Sequence, residues 1–98
     1  MSPAAMDERL QQWRTALAGV TAVDRTSQSA GRVVLDLGPS VDLGEVARLC
    51  GLEVACCSFF AFSLTVYGEG RSLIITVPSG SAPALDELLQ VLPFSQPG

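Results

Sequence analysis

The chain contains no histidine and no lysine. Without imidazole there is no Cys–His or Ser–His nucleophile pair and no histidine metal ligand. All 6 basic residues are arginines (Arg9, Arg14, Arg25, Arg32, Arg48 and Arg71), against 10 acids, for a formal net charge of −4. They form no run or stripe, so nucleic acid is not an expected partner. The apolar runs are too short and broken to cross a bilayer, so a membrane is not expected either. Met1 to Arg9 lacks the basic-then-apolar order of a secretory leader. Cysteine is sparse and odd in number, 3 in all, with two of them adjacent. That does not make a disulfide framework, and reduced thiols in the cytoplasm are the expectation. Arginine in place of lysine, with much alanine, glycine and valine, points by association alone to a GC-rich bacterial source.

What is present suffices for a core. The 98 residues are 48% hydrophobic, which reads as one domain over 1–98 with loose ends at 1–5 and 94–98. Met6, Leu10, Trp13 and Leu17 recur at helical spacing and predict an amphipathic helix over about residues 5–18, with Gly19 as its stop. Val20 to Ser27 is β-branched and loosely alternating. Gln28 to Gly31 reads as a turn, and Arg32 to Leu37 alternates cleanly, with Val33, Leu35 and Leu37 on one face. These two runs predict an antiparallel hairpin. Asp42 and Glu45 resemble a capping box for a middle helix. Leu43, Val46, Ala47, Cys50, Val54 and Cys57 share one face of its wheel, and Leu49, Glu53, Cys56 and Phe60 lie along an adjoining edge. Gly51 costs about 1 kcal/mol in mid-helix and marks either a kink or a close approach.

From Phe60 the period changes to two. Phe60, Phe62, Leu64 and Val66 point one way, Gly68-Glu69-Gly70 turns, and Leu73, Ile75 and Val77 return. A last helix is capped by Ser79 or Ser81, with Pro83 in its first turn and Leu85, Leu88, Leu89 and Leu92 as its stripe. The order α-β-β-α-β-β-α predicts an α+β fold: a four-stranded, mostly antiparallel sheet with helices on one face. Strand order is not readable.

The chemistry concentrates in Glu53-Val54-Ala55-Cys56-Cys57-Ser58-Phe59-Phe60, at the junction of middle helix and strand. Glu53 lies three residues before Cys56 and four before Cys57, the spacing at which helical side chains meet. Relaxed geometry at a helix end lets both sulfurs approach one ion. Soft thiolates select Hg(II), Cu(I), Zn(II) or As(III) over hard cations. A closed zinc site wants four ligands, which one copy of this chain lacks. The negative end of the helix dipole and Glu53 both disfavour a bare thiolate, and a bound cation reverses this. That ranks a metal site, Cys56 and Cys57 with Glu53, above a catalytic nucleophile. Cys50 is roughly 10 Å from Cys57 along an unbroken helix, too far to chelate with it, and reads as core. The bland alternative is that the cysteines are small core hydrophobes.

The run from Ala47-Arg48-Leu49 through Leu52-Glu53-Val54-Ala55-Cys56-Cys57-Ser58-Phe59-Phe60 to Val66 resembles a small bacterial domain of Glu-x-x-Cys-Cys-x-Phe-Phe type. That domain occurs alone or appended to the C-terminal side of MerR-type heavy-metal regulators. The resemblance spans about residues 8–92, is most specific in the Cys-Cys-x-Phe-Phe core, and includes the Asp24-Arg25-Thr26 and Leu85-Asp86-Glu87-Leu88 segments. It implies soft-metal binding, sensing or accessory resistance to mercury or arsenic, with Glu53, Cys56 and Cys57 at the motif positions. Cys50 stands where the pattern has a small apolar residue. The chain has no winged helix, so the implied partners are a metal ion and a second copy or a MerR-type regulator. The competing expectation is a non-catalytic dimerisation or ligand-sensing module with core cysteines. A thiol-dependent enzyme ranks last, because no general base is visible beyond carboxylates.

Overall fold

The computed structural model describes residues 3–56, 58–68 and 70–90. Its elements are α1 (Pro3–Ala16), β1 (Val20–Asp24), β2 (Arg32–Leu37), α2 (Leu43–Cys56), β3 (Ala61–Tyr67), β4 (Gly70–Thr76) and α3 (Ala82–Gln90), with short 3-10 turns at Gln28–Ala30 and Ser79–Ser81. The sheet order is β1-β2-β4-β3, and every pairing is antiparallel. The α+β architecture and the α-β-β-α-β-β-α order expected from periodicity are both observed.

Alternation decides which face is covered. Val33, Leu35 and Leu37 of β2 are buried, whereas Arg32 before them and Asp36 between them are exposed. In β4, Leu73 and Ile75 are buried and pair with Leu35 and Val33. On that face lie Trp13, Ala16 and Leu17 of α1, Val46 and Leu49 of α2, and Leu85 and Leu89 of α3, all in one buried cluster. The other face carries exposed Arg32, Asp36, Ser63 and Thr65. Among the described residues, no helix is long and apolar enough to cross a membrane.

The helix and strand ends differ from expectation for local reasons. α1 begins at Pro3, two residues early, because proline fits the first turn of a helix, where its missing N–H costs nothing. β1 stops at Asp24 rather than Ser27. Asp24 Oδ1 accepts the backbone N–H of Thr26 at 2.9 Å, and the Thr26 hydroxyl also donates to it, which closes a turn. The expected turn at 28–31 is a 3-10 turn ended by Gly31 at φ 88°. A Cβ there would also lie 2.4 Å from the Val77 carbonyl oxygen, so glycine is required twice over.

The middle helix is rolled relative to its wheel. Val46 and Leu49 are fully buried, while Ala47 and Val54 of the expected core face are exposed. The buried stripe therefore follows the adjoining edge, through Leu49 towards Glu53. A Cβ added at Gly51 would meet nothing within 4 Å, so the glycine marks no close approach. Asp42 Oδ1 accepts the Glu45 N–H at 3.1 Å, one half of the capping box. The Glu45 carboxylate turns instead to the Arg48 guanidinium. Leu92 and the expected stop at Pro93 lie outside the described residues.

Candidate metal centre

α2 positions the candidate residues. Cys56 is its last residue and is exposed. Cys57 lies outside the described residues. Glu53 sits one turn before Cys56, and its carboxylate faces α1. Glu53 Oε1 accepts the indole N–H of Trp13 at 3.0 Å and pairs with Arg9 Nη1 at 3.4 Å. The side chains of Arg9 and Glu53 are 20% and 17% exposed, so this ion pair is largely shielded from water. The Trp13 ring is buried at 1% exposure. A buried indole N–H needs an acceptor, and Glu53 supplies it across the α1–α2 contact. This accounts for the roll of α2: the face carrying Glu53 is drawn to α1.

The aromatic residues after the cysteines continue this link. Phe59 and Phe60 rings lie 4.8 Å apart, Phe60 and Phe62 5.9 Å, and Phe62 and Trp13 6.0 Å, all stacked. The series runs from half-exposed Phe59 to buried Trp13. The anchored residues flank the cysteines in the chain: Glu53 precedes them, and Phe59, Phe60 and Phe62 follow.

Cys50 is separate from this end of the helix. It is half-buried and packs against the core. Burial pushes its thiol up from the ordinary 9.0 to about 12, and the negative charge of Glu53 adds to the effect. A thiol so protonated is a poor ligand and a poor nucleophile near neutral pH. Cys50 and Cys56 are both free thiols. Among the described residues, no group of three or more histidine, cysteine or acidic side chains could hold a metal ion.

The chain matches no family model, no curated protein and no solved structure. The site must therefore be read from its own chemistry. An open groove of about 560 Å³ lies elsewhere, between α1 and the start of α2, and includes Gln12, Thr15, Ser40, Asp42 and Glu45 but no cysteine. The partners of Glu53, Trp13 and Arg9, lie 40 and 44 residues away in the chain. Trp13 could be placed in the core from its helical stripe, but no local pattern shows which acceptor its N–H finds.

Proposed function

We propose that this chain is a cytoplasmic soft-metal-binding domain in which Cys56 and Cys57 hold the ion. The observation that carries the reading is the exposed Cys56 thiol at the end of α2, followed directly in the chain by a second cysteine. Two adjacent thiolates suit a soft ion such as Hg(II), As(III), Cu(I) or Zn(II). The likeness to the Glu-x-x-Cys-Cys-x-Phe-Phe pattern supports a role in sensing or accessory resistance, alone, as a homodimer or beside a MerR-type regulator.

Glu53 acts in this reading as an orienting group with a charge. Its Oε1 is engaged by Trp13 and Arg9, so it braces α2 against α1 and contributes negative potential one turn from Cys56. A cation at the thiols offsets the unfavourable field of Glu53 and of the helix C-terminus. The core placement of Cys50 favours the second reading, a binding module with packing cysteines, for that residue alone, because Cys56 is exposed.

Native mass spectrometry of the reduced protein with each of these ions tests the proposal. One ion per chain is expected, retained in Cys50→Ser and lost when Cys56→Ser and Cys57→Ser are combined. Binding by the double variant equal to wild type would show the assignment to be wrong.

A further inference from the structure

The two edges of the sheet are built differently. The β1 edge has 5 residues, ends on Asp24 and breaks register between Val20 and Ala22, leaving Thr21 as a bulge. Shortness, charge and a bulge all discourage a further strand from pairing. The β3 edge has none of these devices. Its 7 residues, Ala-Phe-Ser-Leu-Thr-Val-Tyr, include no charge, proline or glycine, and its register with β4 is continuous. Alternate N–H and C=O groups along its outer side point away from β4. Large exposed apolar side chains also gather here. Phe59 is 42% exposed, Val66 64% and Tyr67 53%, with only Val54 of comparable exposure elsewhere among the described residues. Phe62 and Leu64, though on the covered face, are only half-buried because β3 is the last strand.

We propose that two copies of the chain join their sheets through β3, paired antiparallel about a two-fold axis at Leu64. The sequence of the strand is self-complementary in that register. Leu64 meets its own copy, and Phe62 faces the partner's Val66 on the helix-covered side. Ser63 faces the partner's Thr65 on the open side, and Ala61 faces the partner's Tyr67 at each end. Every pair matches apolar with apolar or hydroxyl with hydroxyl, the combinations that stabilise cross-strand neighbours. The occupant is a second copy because the strand is complementary to itself about Leu64. A net charge of −4 makes two copies repel on average, and β3 is an edge along which they meet with no charge at all. A bridge of 7 residues per chain is smaller than the roughly 20–30 residues a side of a standard interface, so the dimer is of the weak, dissociable class. The inference rests on the sheet edge and not on the thiols.

Sedimentation of the full chain across a concentration series tests it. Wild type is expected to be a dimer at high concentration that dissociates on dilution. Ser63→Lys combined with Thr65→Lys places like charges opposite one another twice, by symmetry, and is expected to raise the dissociation constant by about tenfold or more. Ser63→Glu combined with Thr65→Lys places opposite charges at the same two sites and is expected to dimerise. Both positions are exposed on the open face, so circular dichroism should be unchanged. In wild type, amide exchange along β3 is expected to slow as concentration rises, a readout that needs no variant. A wild-type monomer at every soluble concentration overturns the proposal. So does a double-lysine variant that dimerises like wild type, or a Glu/Lys variant that loses the dimer as the double lysine does.

Discussion

Replacing Glu53 by alanine probes the contact that fixes α1 against α2. The substitution removes the acceptor of the Trp13 indole N–H, held at 3.0 Å. Trp13 is only 1% exposed, so water cannot readily replace the carboxylate. An unsatisfied buried donor costs about 1–3 kcal/mol. The Arg9 pair is longer, at 3.4 Å, and retains some exposure, so its loss adds less than about 1 kcal/mol. Together these predict a loss of about 1–4 kcal/mol. For a domain of this size, 1 kcal/mol shifts the melting temperature by about 4–8 °C, so Glu53→Ala should melt about 4–30 °C lower. Glu53→Gln keeps an oxygen acceptor and loses only the charge, and should cost about 1 kcal/mol. Far-UV circular dichroism during heating measures both. Crossing Glu53→Ala with Trp13→Phe, which keeps a ring in the aromatic series and deletes the N–H, should show strong non-additivity. A Glu53→Ala protein melting within about 3 °C of wild type, less than 1 kcal/mol on the same scale, would refute the bracing role. So would strict additivity of the two substitutions.

Three further predictions concern α2. With its thiol raised from 9.0 to about 12 by burial and by Glu53, Cys50 should alkylate about a thousandfold more slowly at pH 8 than a cysteine at the ordinary value; mass spectrometry of peptides should show Cys56 modified before Cys50, with Glu53→Gln speeding Cys50. The same raised value has a sign in stability: the folded thiol keeps a proton that the unfolded chain releases, so this contribution is intact below about pH 9 and lost as pH rises towards 12. Denaturation midpoints should therefore fall less steeply over that range in Cys50→Ala than in wild type. Gly51→Ala meets nothing within 4 Å and should stabilise the helix by about 1 kcal/mol, read as a higher melting temperature; a fall in melting temperature would mean that the glycine has a packing role.

The fold was legible where one face is buried and the other wet. Val33, Leu35 and Leu37 against Arg32 and Asp36 state the period of β2 and its covered side. The same logic found β3, although its last apolar residue, Val66, is 64% exposed because no strand lies beyond it. Strand order was not legible, since β2 pairs with β4 and the partner strand begins 33 residues after β2 ends. The wheel of α2 misjudged which edge is buried because it weighed hydrophobicity alone. Glu53 is drawn inwards by a hydrogen bond to Trp13 across 40 residues, an attraction invisible to local periodicity. The sequence showed Glu53, Cys56 and Cys57 only as residue types at a spacing; Cys57 lies outside the described residues, and the carboxylate of Glu53 is engaged by Trp13 and Arg9. The separate standing of Cys50 was expected from its distance along the helix, and its packing against the core agrees with it.

The most direct test of the metal-binding account is a competition titration of Hg(II) against a small dithiol, followed through the Hg–thiolate absorption and the fluorescence of Trp13, the single tryptophan. The account predicts that Cys50→Ser competes as wild type does and that Cys56→Ser loses affinity by orders of magnitude. Loss of affinity in Cys50→Ser with retention in Cys56→Ser would contradict it.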